Sequence, residues 1–354
     1  MSKTPHIVII GAGLIGVSSA DALLRRGARV TLVERDAAVM HGASFANSGM
    51  IHPSQACSWS GDANTAAADA AVRDLALRSV DIMQDRMQTL GLDMMAARPP
   101  GCWQLFDTAT DADAAYDRMR ARGITVERRG PTPTRYNRPA LFFPADRSGD
   151  ARRYGEALAQ SCLAAGGEIR LSADDPVLGL DKTGRPELRI GQDIIKPDAI
   201  VVACGAQSAD VLAAVNIKLP VSPVRGWAVD YDKPDSVRVP DVPIMDAASR
   251  SALTVFGDVL RLSGTMGEAS ESPLLARWQV IAPELMDALN KPRRVWSGLR
   301  PVSAKGRPFI GESSVPGLWV NAGHGHMGWT LCAGSGELLA EMMTEGAVDS
   351  RFAL

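Results

Sequence analysis

Two histidines and three glycines lie close together in one short segment near the C-terminus, VNAGHGHMGWTL (320–331). Such a segment could bind a metal, supply a catalytic imidazole, or present backbone amides to a flat ligand. A zinc-like site needs three or four ligands, and the remaining three of the five histidines are too few to predict one. His324 and His52 are candidate catalytic residues, with a structural role as the alternative for each. The choice among a metal site, a catalytic histidine and a flat ligand depends on which ligand the N-terminal residues predict.

The N-terminal segment HIVIIGAGLIGVSSADALLRRGARVTLVERD (6–36) predicts a strand, a tight turn, an amphipathic helix and a second strand. Gly11, Gly13 and Gly16 have G-x-G-x-x-G spacing, which permits the turn, the approach of a pyrophosphate and close packing of the helix. Glu34 ends the second strand, where a carboxylate can accept hydrogen bonds from ribose hydroxyls. All four parts together predict dinucleotide binding.

The next segment, DAAVMHGASFANSGMIHPSQ (36–55), has no helical period and is rich in small residues. It predicts an extended loop with many backbone N–H groups available to a ligand. Such a loop suits a second phosphate or a ring with hydrogen-bonding edges, and FAD has both. The alternative is an NAD-dependent dehydrogenase, in which this segment and GHGHMGW would have no role.

Composition restricts the class of protein further. The 354 residues are 46% hydrophobic and 22% charged, with a net charge of −2, which gives no reason to expect nucleic acid as a partner. The five cysteines are scattered without a Cys-x-x-Cys pair, which favours reduced thiols. With no evident signal peptide or apolar span, the sequence predicts a cytoplasmic protein. Contact with a partner subunit or with the inner face of the membrane stays open.

Hydrophobic periodicity predicts helices over 63–91, 111–123, 150–167 and 335–346, and a β-rich stretch over 221–263. Strand–glycine–helix patterns recur at the start, the middle and the end of the chain. The predicted fold class is therefore α/β, with a Rossmann-like FAD-binding domain assembled from discontinuous segments. An α+β substrate domain with a mainly antiparallel sheet completes it.

The domain division that this pattern predicts is discontinuous. The FAD-binding domain takes residues 1–75, 145–215 and 313–354. The substrate-binding domain takes residues 76–144 and 216–312.

Arg300 lies in the strand-like segment WSGLRPVSAKGRPFIGE (296–312). A buried guanidinium offers a planar set of donors that matches a carboxylate. A surface ion pair is the alternative for any single arginine.

Seven segments together resemble the D-amino-acid oxidase superfamily of FAD enzymes, and within it the small subunits of bacterial D-amino-acid dehydrogenases. They are VIIGAGLIGVSSADALLRRGARVTLVER, SFANSGMI, FFPADRSGDARRYGEAL, IVVACGAQS, PVRGW, GLRPVSAKGRPFIG and NAGHGHMGWTLCAGSGELLAEM, spread over nearly the whole chain. SFAN, GLRP and GHG-x-x-GWT are the narrower motifs, whereas the N-terminal motif occurs in many FAD proteins.

The resemblance implies a cofactor site made of the following residues: Gly11, Gly13, Gly16, Glu34, Arg35, Ser44, Asn47, Ser48, Gly49, Met50, Val177, Ala203, Gly205, Gly323, Gly325, His326, Met327, Gly328, Trp329 and Thr330. The glycine turn and Glu34 would hold the ADP half, and Val177 would meet the adenine. Residues 44–50 would follow the pyrophosphate, the ribityl chain and the flavin ring, with Ala203 and Gly205 closing over the cofactor. The amides of 325–330 would approach the pyrimidine edge of the flavin.

The resemblance also implies the chemistry. Arg300 would bind the α-carboxylate of a D-amino acid, or of a related secondary amine, while hydride passes from Cα to flavin N5. The resulting imino acid hydrolyses to a 2-oxo acid, and the electrons pass to a quinone, an iron–sulfur partner subunit or oxygen.

Relatives of this type are longer, and the missing length falls between His52 and Gly101. That difference leaves two alternatives open. One is the flavin subunit of an opine or D-hydroxyproline dehydrogenase or oxidase complex. The other is a flavin-binding subunit without chemistry of its own.

Overall fold

The computed structural model describes residues 4–56, 65–92, 100–128, 136, 138–173 and 176–354. Its helices are α1 (Leu14–Arg25), α2 (Thr65–Thr89), α3 (Ala109–Ala121), α4 (Ala151–Ala164), α5 (Ser208–Ala213), α6 (Ser272–Ile281), α7 (Pro283–Ala288) and α8 (Gly328–Glu345).

The strands of the first half of the chain are β1 (His6–Ile10), β2 (Arg29–Val33), β3 (Met50–Ile51), β4 (Cys102–Leu105), β5 (Ala140–Phe143), β6 (Arg147–Ser148), β7 (Glu168–Arg170) and β8 (Val177–Leu180). Those of the second half are β9 (Pro186–Ile190), β10 (Asp193–Ile195), β11 (Ala199–Val202), β12 (Val221–Asp232), β13 (Ile244–Asp246), β14 (Ser251–Phe256), β15 (Val259–Gly264), β16 (Arg294–Ser303), β17 (Phe309–Glu312) and β18 (Leu318–Ala322).

A six-stranded sheet forms the nucleotide-binding half, in the order β17-β18-β11-β1-β2-β7. All neighbours are parallel except the β17–β18 pair. Successive side chains of a strand point to opposite faces. Ile7 and Ile9 therefore pack with α1, α4 and α8, and Val8 and Ile10 pack with α5 and the β8–β9 hairpin. Burial on both faces explains why β1 is a continuous apolar run.

A seven-stranded sheet forms the other half, in the order β16-β12-β15-β14-β13-β4-β5. Only β13 and β4 pair in parallel, so the sheet is mainly antiparallel. Val229, Leu253 and Leu262 face the buried Trp278 of α6. Alternate residues of β12, β14, β15 and β16 therefore present the opposite face toward the first sheet. The predicted α/β fold class is confirmed.

Some elements of the structure differ from those that the sequence pattern predicts. The predicted helix over 63–91 is α2, and its expected first residues, 63 and 64, lie outside the described residues. The β8–β10 sheet, α6 and α7 were not predicted. α2 crosses the predicted domain boundary at residue 75 and packs against α8. The domain division itself stays a prediction.

The start of α8 was predicted wrongly, because the helix begins at Gly328 rather than at residue 335. Three glycines in this first half lower its intrinsic helix propensity. Packing overrides that preference: a Cβ at Gly334 would lie 2.8 Å from the Cβ of Ser79 in α2, and one at Gly336 2.7 Å from the backbone of Ser18 in α1. The glycines permit three helices to pack closely.

Within the described ranges, no helix combines the length and the apolar character that crossing a bilayer requires.

Candidate active site

A cavity of about 880 Å³ lies between the two sheets. The ends of three parallel strands open into it through Gly11 after β1, Glu34 after β2 and Ala203 after β11. The carboxyl edge of a parallel sheet is where such folds bind their ligands. The far wall comes from the seven-stranded sheet, mainly β12 and β16. The fold thus brings the predicted nucleotide turn and Arg300 to one cavity.

The glycine turn leaves no room for side chains at two of its positions. Gly11 has φ +102°, and a Cβ there would lie 2.6 Å from the carbonyl oxygen of Ala203. A Cβ at Gly16 would lie 1.8 Å from the carbonyl oxygen of Gly11. The turn is therefore as tight as the fingerprint predicts.

The N-terminus of α1 faces the cavity at Gly13, which caps the helix without a side-chain hydrogen bond. The Leu14 N–H donates to Ser44 Oγ over 3.1 Å, which ties the following loop to the helix. The positive end of the helix dipole and the amides of its first turn suit a pyrophosphate.

Backbone amides fix the Glu34 carboxylate at the cavity wall. It accepts the N–H of Ala12 over 2.8 Å and the N–H of Asp36 over 3.1 Å. A carboxylate has about four lone-pair positions, so two remain for the hydroxyls of a ribose. The geometry fits the predicted role.

The loop 41–52 is pinned against the seven-stranded sheet. Thr254 donates to the Ser48 carbonyl over 2.8 Å, and Arg261 donates to the Asn47 carbonyl over 2.9 Å. Asn47 in turn accepts the Gly49 N–H, which stabilises the turn. The loop thus connects the nucleotide end of the cavity with the wall that carries Arg300.

Several buried polar atoms of the cavity-lining residues have no hydrogen-bond partner within the described chain. They are Ser263 Oγ, Trp296 Nε1, Trp329 Nε1, His52 Nδ1, and both ring nitrogens of His324. Because buried polar groups are nearly always hydrogen-bonded in native proteins, this set indicates that the cavity binds a polar ligand. FAD fits, since it combines an anionic pyrophosphate, two sugar-like chains and a ring edged with acceptors and donors.

Arg300 lies on the cavity side of β16, opposite Val224 of β12. Its Nη1 donates to the carbonyl oxygen of Thr265 over 2.8 Å, and its Nη2 to that of Gly264 over 3.3 Å. The guanidinium leans over Gly226, where a Cβ would lie 2.2 Å from Nη1. Burial lowers the pKa of Arg300 to about 10, which leaves the side chain charged at neutral pH.

Both candidate catalytic histidines are buried in the cavity wall. Burial lowers the pKa of His52 to about 4 and that of His324 to about 3, so both are neutral at physiological pH. The His52 and His326 rings lie with their centroids 5.8 Å apart. No group of three metal-ligating side chains occurs among the residues with described positions.

The lowered pKa values of these histidines predict that the folded protein loses stability in acid. A histidine with a folded pKa near 4 and an unfolded pKa near 6.5 binds a proton more readily in the unfolded state, so stability is lost as pH falls from about 7 to 4. For His52 the loss approaches about 3 kcal/mol at pH 4, from 2.5 pKa units. We expect the free energy of unfolding of His52→Gln, measured in urea at saturating FAD, to fall less than that of the unchanged protein over this range. Parallel curves for the two proteins would contradict the assignment.

The cavity brings together most of the predicted site residues. Those that line it are Gly11, Gly13, Glu34, Arg35, Ser44, Asn47, Ser48, Met50, Val177, Ala203, Gly205, Gly325, His326, Gly328, Trp329, His52, His324 and Arg300. Their individual roles stay predictions.

Five predicted cofactor-binding residues lie behind the wall instead: Gly16, Gly49, Gly323, Met327 and Thr330. They shape it indirectly. Gly49 admits the ring of Phe256, from which a Cβ would lie 2.1 Å, and Thr330 Oγ1 accepts the His52 N–H.

Sequence reasoning missed several lining residues, among them Arg250, Trp296 and Ser263. Trp296 stacks against Phe45 with ring centroids 4.5 Å apart. Arg250 has a left-handed backbone, φ +52°. Neither property has a motif that could have identified these residues: the Trp296–Phe45 contact depends on long-range packing, and the φ of Arg250 depends on the geometry of the loop between β13 and β14.

Comparisons with known proteins agree with this geometry. Residues 6–342 match the family described as FAD dependent oxidoreductase (DAO). The chain is 31% identical to the D-amino acid dehydrogenase of Cereibacter sphaeroides over 400 aligned positions, which cover 96% of this chain and 91% of that protein.

Two solved structures share the fold. Iminodiacetate oxidase from Chelativorans sp. BNC1 has a TM-score of 0.84 at 24% identity, with 98% of each chain covered. Glycine oxidase from Geobacillus kaustophilus has a TM-score of 0.83 at 23% identity, with 99% of each chain covered. At these identities the two structures are evidence of the fold alone.

The family match confirms the predicted resemblance, and it decides the choice between NAD and FAD. A flavin cofactor also accounts for the glycine turn, the anchored Glu34 carboxylate and the buried polar atoms that have no hydrogen-bond partner within the described chain. The chain therefore belongs to the DAO family of FAD dependent oxidoreductases, with FAD as its cofactor.

Proposed function

We propose that the protein oxidises a D-α-amino acid, or an amino acid with a substituted nitrogen, to an imino acid. The observation that carries this proposal is the position of Arg300, a charged side chain in the wall of the same cavity as the nucleotide turn. The 31% identity to a D-amino acid dehydrogenase supports the choice of substrate class.

Arg300 binds the substrate carboxylate and thereby fixes the orientation of the Cα–H bond. The carbonyls of Gly264 and Thr265 hold the guanidinium in place, so the substrate is positioned by a rigid group. When bound, FAD accepts the hydride and so supplies the redox chemistry. Cα loses its hydrogen with two electrons, nitrogen forms the C=N bond and releases a proton, and water converts the imino acid to a 2-oxo acid.

The surroundings of the amine favour its neutral form. The nearby imidazoles of His52 and His324 carry no charge at neutral pH, and β12, β14, β15 and β16 contribute no carboxylate to the described lining that would stabilise an ammonium group. The amine therefore loses its proton before hydride leaves, and no strong general base is needed.

The N-terminus of α8 faces the cavity through Gly325, Gly328 and Trp329. Met327 caps this helix without a side-chain hydrogen bond. The backbone amides and the positive helix end at this wall would hold part of FAD and would favour negative charge there.

The electron acceptor is a quinone, an iron–sulfur partner subunit or oxygen. A second candidate function is the flavin subunit of a larger opine or D-hydroxyproline dehydrogenase or oxidase. It is favoured by the alignment with the dehydrogenase, which needs 400 positions and so includes segments that this chain of 354 residues lacks. A cytoplasmic location, with contact at the inner membrane face through a partner, completes the proposal.

The visible spectrum tests the proposed function. Purified protein is saturated with FAD, made anaerobic, and mixed with a pool of D-amino acids. We expect the oxidised-flavin band to bleach, whereas the L-amino acid pool, as the matched control, leaves the band unchanged. If neither pool and no N-substituted amino acid bleaches the band, the proposed amino acid oxidation is overturned. The protein would then be a flavin-binding subunit without chemistry of its own.

A further inference from the structure

Besides Arg225, whose Nη1 donates to Ser297 Oγ, a further arginine shares the cavity wall with Arg300. Arg250 immediately precedes β14, and both side chains line the cavity. The Arg300 guanidinium leans over Gly226 of β12 and reaches the end of β15, the strand that pairs with β14. Paired strands lie about 5 Å apart, so one small molecule with two anionic groups can contact both arginines.

The two arginines lie on the same side of this sheet. Arg300 donates to the carbonyl oxygens of Gly264 and Thr265 at the end of β15, and Arg250 Nη1 lies 2.9 Å from the sulfur of Met266 just beyond. The positive charges of both arginines lower the pKa of the buried His326 in addition to the effect of its burial. Both charges therefore act on the same part of the cavity.

Negative charge is placed elsewhere in the cavity. The carboxylates among the described lining residues are Glu34, Asp36 and Asp210, which follow β2 and β11. β12, β14, β15 and β16 contribute no carboxylate to this described lining. The substrate end of the cavity is thus cationic beyond what one carboxylate requires.

Arg250 is the last residue of the loop that joins β13 to β14. Its φ of +52° lies in the left-handed region, which is unfavourable for a side chain of this size. The Met266 thioether beside its Nη1 is a weak hydrogen-bond acceptor.

We propose that the preferred substrate carries a second carboxylate, bound by Arg250 while Arg300 binds the first. This inference rests on the proposed amino acid oxidation and specifies its substrate class. The second carboxylate belongs either to an acidic side chain or to a carboxyalkyl group on the nitrogen. Arg250 is in either case a specificity-determining residue.

Binding of unreactive ligands tests this proposal without turnover. Thiodiacetate and methylthioacetate differ by one carboxylate, and their dissociation constants are measured from the change in flavin absorbance of the FAD-loaded protein. We expect thiodiacetate to bind at least about tenfold more tightly at low ionic strength, with the advantage reduced by added salt. Equal affinities for the two ligands would overturn the proposal.

Variants of Arg250 test whether this residue causes the preference for the ligand with two carboxylates. Asparagine tolerates a left-handed backbone, so Arg250→Asn removes the charge without added strain and is expected to abolish the tenfold preference. Arg250→Lys is expected to keep most of it, and Arg238→Asn, which changes an arginine side chain that is 82% exposed, is expected to keep all of it. A preference retained in Arg250→Asn would contradict the assignment.

Steady-state turnover shows whether the second carboxylate belongs to the side chain of the substrate or to a group on its nitrogen. With a dye as electron acceptor, D-glutamate is compared with D-glutamine, and N-carboxymethyl-D-alanine with N-methyl-D-alanine. A preference of about tenfold in kcat/KM within one pair identifies the source. Oxidation without preference in either pair overturns this inference but leaves amino acid oxidation intact. Failure to oxidise any amino acid refutes the proposed function, and the binding experiment still decides on Arg250.

Discussion

Replacement of Arg300 by leucine is expected to lower kcat/KM for the amino acid substrate about a thousandfold, with FAD still bound. Removal of one partner of a buried ion pair typically destabilises a complex by about 3–5 kcal/mol, and each 1.4 kcal/mol is a factor of ten. Leucine keeps much of the apolar bulk beside Gly226, so the wall is expected to fold unchanged. The measurement is steady-state kinetics alongside flavin content, and the loss should occur mainly in KM.

A companion variant separates the charge of Arg300 from its position. Gly226→Ala keeps the arginine but places a Cβ 2.2 Å from Nη1 and 2.3 Å from Cζ, so the guanidinium must move. We expect a smaller rise in KM than in Arg300→Leu and the same flavin content in both. An unchanged KM in Arg300→Leu would refute carboxylate binding by this residue.

The Gly16→Ala variant is expected to lose FAD binding and to be destabilised by about 3 kcal/mol or more, at the upper end of what overpacking produces. Its Cβ would lie 1.8 Å from the carbonyl oxygen of Gly11, a backbone atom that belongs to the nucleotide turn. Relief of this contact moves α1 away from β1 or opens the turn. Either change displaces the helix N-terminus that faces the pyrophosphate.

Gly179→Ala in β8 is the matched control, because the nearest atom to its Cβ, Glu187 Cγ, would be 3.8 Å away. Urea unfolding and titration with FAD measure the two effects separately. Normal FAD affinity in Gly16→Ala would mean that the close approach of α1 to the turn is not needed for the cofactor.

The sequence by itself determined the parts of this protein that depend on local spacing. The turn between β1 and α1 requires glycine at fixed positions, and a buried parallel strand requires a continuous apolar run, so both could be recognised without coordinates. The motifs around Ser44, Arg300 and Gly328 identified the family and FAD for the same reason. Each is a short segment that contributes residues to the lining of the cavity.

Tertiary structure alone decided which residues meet across the sheet. Gly226 and Arg300 are far apart in the chain, and only the pairing of β12 with β16 brings the Arg300 guanidinium over Gly226. The entry of Arg250 into the cavity depends on the end of β14, and the early start of α8 depends on glycines that pack against α1 and α2. These features arise from long-range packing, which outweighs local propensity and leaves no periodic signal in the sequence.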